Sequence, residues 1–176
     1  MRRLLLVDDE INVLHALQRT IRHCGIDEEF RIEIFTDPHQ AINRSNEVAF
    51  DIVISDFRMP EMNGVEFLLE FKKIQSDTVR MLLSASTEFD TLMNAINQAE
   101  VFRYIAKPWQ PAEIKETVRL ALERRDQSRE DLRLFNALRV QLNEMTPQEL
   151  EAKRLEDEEP GITKVNWGPD GSVPLD

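Results

Sequence analysis

The chain has 176 residues, 41 % hydrophobic and 31 % charged, with a formal net charge of -11. That composition suits a globular protein, not a disordered one. The charge argues against general nucleic-acid binding, which needs a basic face, and against docking on anionic membranes.

No apolar stretch approaches the ~18 residues that span a bilayer. Cys24 is the only cysteine, so no intrachain disulfide can form, which fits a reducing cytosol. The N-terminus runs straight into an apolar strand without signal-peptide architecture, and a cytoplasmic location is expected.

Short apolar runs predict strands at about 3–7, 30–35, 50–55, 79–84 and 101–106. The runs at 4–7, 52–54 and 81–83 are apolar throughout, as strands buried on both faces must be. Phe30, Ile32 and Ile34 alternate with polar residues, which predicts a sheet edge. Between these runs lie helix signals. Leu14, Leu17 and Ile21 share a face, as do Val65, Leu68 and Leu69, and Leu92, Ala95, Ile96 and Ala99. Asp37-Pro38-His39-Gln40, Asn63-Gly64-Val65-Glu66 and Thr87-Glu88-Phe89-Asp90 carry N-cap spacing. The pattern is a five-fold strand–helix alternation, which predicts a parallel sheet covered by helices on both sides.

Pro111 and Glu113 open a helix bearing Ile114, Val118, Ala121 and Leu122, which a five-strand domain needs as its last cover, up to about residue 124. Residues 125–161 are read as an extension of that helix plus a second, acidic helix. The second begins at the capping box Thr146-Pro147-Gln148-Glu149. Phe135, Leu138, Leu142 and Met145 hold a/d spacing over two heptads. Two occupants for that stripe stay open: a second copy of the chain, or the chain's own segments. Residues 162–176 read as a small hairpin around Pro169-Asp170-Gly171.

Chemistry concentrates where the predicted strands end. Asp8 and Asp9 follow the first run, Asp56 follows the third, Ser84 ends the fourth, and Lys107 follows the fifth. In open α/β sheets ligands bind outside the carboxyl ends of the strands. Clustered carboxylates repel one another, and a divalent cation relieves that repulsion. Mg²⁺ suits such a set, binding one or two carboxylates and keeping waters that phosphoryl oxygens can replace. The Lys107 ammonium supplies a point charge for a phosphoryl oxygen, and Pro108 holds it in extended backbone.

Asp8-Asp9-Glu10, Asp56-Phe57-Arg58-Met59-Pro60 with Gly64, Ser84-Ala85, and Tyr104-Ile105-Ala106-Lys107-Pro108 together resemble the receiver domains of two-component response regulators, of the chemotaxis-regulator kind. The resemblance covers roughly residues 1–124. It implies a flavodoxin-like α/β fold, a doubly wound parallel five-stranded sheet in order 2-1-3-4-5. It implies Asp56 as phosphoacceptor, and Asp9 and Asp56 as direct Mg²⁺ ligands, with Asp8 acting through water and the Arg58 backbone carbonyl adding a ligand. Lys107 pairs with the phosphoryl group, Ser84 hydrogen-bonds it, and Tyr104 changes rotamer with Ser84.

The implied partners are a histidine kinase or phosphotransfer protein and a downstream protein target, with homodimerisation through the C-terminal helix and no nucleic acid or membrane. The implied output surface is the helix after Thr87, the strand at 101–106 and the helix after Pro111. Such a protein accepts a phosphoryl group and is not a dedicated turnover enzyme. Three features depart from the family pattern or tune it. Gln98-Ala99-Glu100 lacks the usual Gly-Ala pair, Trp109 follows Lys-Pro, and Arg58 and Ser86 sit where phosphoryl lifetime is tuned.

Two other readings compete. A haloacid-dehalogenase-type phosphatase also combines a nucleophilic Asp, a Ser or Thr, a Lys and Mg²⁺, but its nucleophile follows the first strand in an Asp-x-Asp pattern. A receiver-shaped scaffold that works without phosphorylation has no reason to tolerate clustered carboxylates. His15, His23 and His39 are read as helix-surface residues and Cys24 as a helix-end filler.

Overall fold

A computed structural model describes residues 1–25, 30–85, 99–142 and 144–158. The strands are β1 (Arg2–Val7), β2 (Phe30–Phe35), β3 (Ile52–Asp56), β4 (Val79–Ala85) and β5 (Arg103–Lys107). The helices described are α1 (Ile11–His23), α2 (Pro38–Ser45), α3 (Gly64–Ile74), α4 (Pro111–Gln141) and α5 (Pro147–Glu158). The five strands are all parallel, in order β2-β1-β3-β4-β5, the flavodoxin-like arrangement. The expected strands lie within two residues of the observed ones. The helix expected after Thr87 and the hairpin expected at 162–176 lie outside the described residues.

Strand alternation divides the core into two layers. Leu4, Leu6, Ile52, Ile54, Met81, Leu83 and Ile105 point to one face, where they meet Leu14, Leu17 and Ile21 of α1 and Ile114, Val118 and Ala121 of α4. Leu5, Val7, Val53 and Leu82 point to the other, against Ala41 of α2 and Val65, Phe67, Leu68 and Phe71 of α3. The central strands therefore bury both faces, which is why their sequences are unbroken apolar runs. β2 lies at a sheet edge, as its alternation predicts.

The helix starts follow their local chemistry. Asp37 accepts a hydrogen bond from the His39 amide at 2.8 Å, with Pro38 at the first helical position. Asn63 and Glu66 form a full capping box on α3. Thr146 and Glu149 bond reciprocally at the start of α5.

α4 runs unbroken for 31 residues, straight through the expected domain boundary at 124. Arg125 and Arg129 of this helix reach back to Asp51, just before β3, at 3.5 and 2.9 Å. Arg125 also donates to the Asp77 carbonyl at 3.0 Å. The base of the sheet is thus tied to residues beyond 124.

Candidate phosphoryl-acceptor site

The parallel register sets the site. Val7 lies opposite Ser55, Asp56 opposite Leu83, Ser84 opposite Ala106, and Ala85 opposite Lys107. The carboxyl ends of β1, β3, β4 and β5 therefore share one edge. Asp8 continues β1, its amide donating to the Phe35 carbonyl at 3.2 Å. Asp56 is the last residue of β3, and the Phe57 amide donates to the Leu83 carbonyl at 2.8 Å.

At that edge one ammonium holds two buried carboxylates. Lys107 Nζ lies 2.8 Å from Asp8 Oδ2 and 2.5 Å from Asp56 Oδ1. Asp8 and Asp56 are 2 % and 6 % exposed, so these charges interact with little solvent screening. The second oxygen of each carboxylate is also committed: Asp8 Oδ1 accepts from the Glu10 amide at 2.9 Å, and Asp56 Oδ2 from the Arg58 amide at 2.7 Å. Burial pushes the Asp56 carboxyl above the ordinary aspartate range, opposed by Lys107 and reinforced by the charge of Asp8. Burial pulls the Lys107 ammonium down, but hydrogen bonds and charge from Asp56 and Asp8 outweigh it, and its pKa ends raised.

The loop after Asp56 is set by close approach. A Cβ on Gly64 would fall 1.9 Å from the Asp56 carbonyl oxygen, and the Gly64 amide donates to the Phe57 carbonyl at 2.9 Å. Only the absence of a side chain lets α3 start this near the end of β3. The Lys107–Pro108 peptide is cis.

The remaining predicted residues are placed as follows. Ser84 is buried, and its hydroxyl donates to the Ala85 carbonyl at 3.1 Å. Tyr104 is half-buried, packed beside the α2–α3 layer and opposite Leu82. The Arg58 backbone lies against Asp56 through its amide. Asp9 is exposed, directly after the buried Asp8. Among the described residues, no three His, Cys, Asp or Glu side chains gather closely enough to hold a metal.

The donor set nevertheless fits Mg²⁺. Two buried carboxylates share one ammonium, leaving a net negative charge of hard oxygen donors, and Mg²⁺ characteristically takes one or two carboxylates and keeps its waters. His15, His23 and His39 are exposed on α1 and α2. Cys24 caps α1, its thiol donating to the Pro111 carbonyl at 3.4 Å. Trp109 packs on the α1–α4 layer, its indole donating to Thr20 at 3.2 Å.

Sequence reasoning missed the Asp51–Arg125–Arg129 cluster. The signal was the phase of Arg125, one turn beyond Ala121 on the buried face of α4.

The fold is a doubly wound parallel sheet with two aspartates and a lysine at its carboxyl edge, where open α/β sheets bind their ligands. Residues 4–119 match the response regulator receiver domain family, and the chain belongs to that family.

Among curated relatives, the hydrogenase transcriptional regulatory protein HoxA of Cupriavidus necator is 35 % identical over 119 residues, covering 68 % of this chain and 24 % of that protein. The regulatory protein AtoC of Escherichia coli is 31 % identical over 144 residues, covering 78 % and 29 %. The chain therefore spans about a quarter of these relatives. Among solved structures, a signal receiver domain of an HD domain-containing protein from Pseudomonas fluorescens superposes with a TM-score of 0.67 at 29 % identity, covering 73 % of this chain and 92 % of that one. A structure titled adenylate cyclase from Rhodopirellula baltica gives 0.69 at 26 % identity, covering 77 % and 97 %.

Among the described residues no helix is long and apolar enough to cross a membrane.

Proposed function

We propose that Asp56 accepts a phosphoryl group from a phosphohistidine of a partner kinase or phosphotransfer protein, and that the resulting state is read by protein contacts. The observation that carries this reading is the buried Asp8–Lys107–Asp56 cluster, with the Asp56 carboxylate on the strand end and the lysine within 2.5 Å of it. An Asp56 oxygen attacks phosphorus, the phosphorus–nitrogen bond breaks, and the imidazole leaves with the electron pair. Phosphoryl transfer is mostly positioning and charge neutralisation. Lys107 balances the added charge from one side. Asp8, Asp56, the exposed Asp9 and the Arg58 carbonyl would hold Mg²⁺, which supplies charge neutralisation at the transferring oxygens.

The product places about two negative charges where one stood. Lys107 then has a reason to leave Asp8 for the phosphoryl oxygens, and the Ser84 hydroxyl to leave the Ala85 carbonyl for them. Tyr104, half-buried two residues before the Ser84 partner Ala106, is placed to respond. This is a population shift between two loop arrangements driven by new contacts. The domain acts as a switch and not as a turnover enzyme. Its nucleophile ends the third strand, whereas that of the dehalogenase-type phosphatases follows the first. HoxA and AtoC are named as regulatory proteins; we take this chain to accept a phosphoryl group and to signal through protein partners in the cytoplasm.

Intact-mass measurement after incubation with a small phosphodonor and Mg²⁺ tests the assignment. One phosphoryl group is expected on the wild type and none on Asp56→Asn. Modification of the variant would show that the acceptor lies elsewhere.

A further inference from the structure

Just beyond Lys107 the chain is stapled to α1. The Trp109 indole Nε1–H donates to Thr20 Oγ1 at 3.2 Å, and that hydroxyl in turn donates to the Ala16 carbonyl at 3.0 Å. The indole ring is half-buried against the core layer that includes Leu17, Ile21, Ile114 and Val118. One helical turn past Thr20, the Cys24 thiol donates to the Pro111 carbonyl at 3.4 Å. Pro108 and Gln110 are exposed, and the Gln110 side chain makes no capping bond, so within 108–110 the indole does the fastening.

α1 also holds the other member of the site. Its N-cap residue, Glu10, gives its amide to Asp8 Oδ1 at 2.9 Å. One 13-residue helix thus places Asp8 at its start and the segment after Lys107 near its end. Lys107 Nζ bridges from Asp8 Oδ2 at 2.8 Å to Asp56 Oδ1 at 2.5 Å. The lysine stem is long and flexible, so the reach of its ammonium depends on where its backbone is held.

We infer that Trp109 is a positioning residue for phosphoryl transfer: bonded to Thr20, it fixes the backbone from which Lys107 meets Asp56 and the incoming phosphoryl group. The inference rests on the reading of Asp56 as acceptor. Transfer depends on positioning and charge neutralisation, and a group misplaced by about 1 Å can cost about a hundredfold in rate. Releasing one neutral hydrogen bond loosens the segment without displacing it outright, so a smaller loss follows, about three- to tenfold.

The rate of phosphorylation by acetyl phosphate and Mg²⁺, followed by intact mass on the full chain, tests this. Trp109→Phe keeps an aromatic ring on the layer and removes the indole N–H. Thr20→Val removes the acceptor at nearly constant shape. Each is expected to slow phosphorylation about three- to tenfold, and the double variant no more than either alone. Thr20→Ser, which keeps the hydroxyl, is expected to retain the wild-type rate. In a Lys107→Ala background neither substitution should slow the reaction further, because both act through the ammonium. Ile114→Val, in the core layer the indole covers, is expected to lower stability and leave the rate unchanged. Circular dichroism and urea midpoints check that each variant is folded.

Wild-type rates in both Trp109→Phe and Thr20→Val overturn the inference. So do losses that persist in the Lys107→Ala background, that Thr20→Ser shares, or that Ile114→Val reproduces. If the Lys107→Ala rate falls below detection, the Thr20→Ser and Ile114→Val comparisons decide alone. Failure of the acceptor assignment shows separately, as a wild-type chain that gains no phosphoryl group or an Asp56→Asn variant that gains one, and it overturns this inference too.

Discussion

At the scale of single residues, the site is an electrostatic compromise whose terms can be separated. Asp56 is buried, and its folded-state pKa lies above the unfolded value. Between those two values the native state binds the extra proton. The favourable contribution is therefore present at low pH and is lost as pH rises through the folded value, so at neutral pH the ionised carboxylate opposes folding. Asp56→Asn is expected to raise stability by about 1–2 kcal/mol at pH 7. The gain should shrink toward zero below about pH 4, where the carboxyl is protonated in both states. Urea unfolding of both proteins at pH 7 and pH 3.5 reads this directly; a loss at pH 7, or a gain that survives in acid, contradicts it.

Lys107 has the opposite sign. Its removal leaves Asp8 and Asp56 buried against each other without a cation, so Lys107→Ala is expected to cost about 2–4 kcal/mol at pH 7. Millimolar Mg²⁺ should then raise the melting temperature of this variant more than that of the wild type, because it relieves the uncompensated repulsion. Equal shifts in the two proteins would mean that the carboxylates do not bind the ion together.

Single residues also show where local rules yield to context. Glu100 adopts φ 50°, a left-handed conformation that favours glycine, in the segment where the family usually carries a Gly-Ala pair. Its carboxylate is held by Lys72 at 2.8 Å and Arg80 at 3.3 Å, contacts that a glycine could not make.

At the scale of elements, Gly64 is the tightest joint in the site. Its backbone conformation is ordinary, and the constraint is space: an added methyl would meet the Asp56 carbonyl at 1.9 Å. That methyl must push α3 away from the end of β3 or twist Asp56 itself. Gly64→Ala is expected to destabilise by about 2–4 kcal/mol. It should also slow phosphorylation by a small phosphodonor at least tenfold, since the nucleophile rides on the displaced strand end. A stable variant phosphorylated at the wild-type rate would show that the joint is soft.

The element scale also explains what was legible beforehand. The unbroken apolar runs at 4–7, 52–54 and 81–83 announce central strands because they face two cores at once. The capping spacings at Asp37, Asn63 and Thr146 announce helix starts because the side chains that satisfy orphan amides are short and local. The convergence of Asp8, Asp56 and Lys107 is legible once the order of the strands is known. The exposure of Asp9 beside the buried Asp8 is not, since adjacent residues at a strand end differ only in which way the chain bends. The Asp51–Arg125–Arg129 contact was hidden for a different reason. It joins residues over seventy positions apart, and the one local signal, the phase of Arg125 on the buried face of α4, does not say what it meets.

At the scale of the whole molecule, that contact decides where the receiver ends. Asp51 sits at the opposite end of β3 from Asp56, and it is 5 % exposed. Its carboxylate accepts from the Arg3 amide at 2.9 Å and faces the guanidinium groups of Arg125 and Arg129. Burial pulls the Arg125 guanidinium pKa down; Arg129 adds to that and Asp51 opposes it, so the group rests in a poorly solvated place that only its anionic partner makes tolerable. A chain ended at Arg124 would keep Ile114, Val118 and Ala121 in the core and leave Asp51 without either cation.

Residues 1–124 are therefore expected to be about 2–3 kcal/mol less stable than residues 1–142. Arg125→Ala in the longer chain should reproduce most of that loss, whereas Arg133→Ala, on an arginine 82 % exposed, should cost little. Guanidinium unfolding at pH 7 of the four proteins makes the comparison. Equal midpoints for 1–124 and 1–142 would place the folding boundary at the end of the apolar face. A deficit reproduced by Arg125→Ala places it beyond Arg125, so that the first half of the long helix belongs to the receiver and only the remainder projects from it.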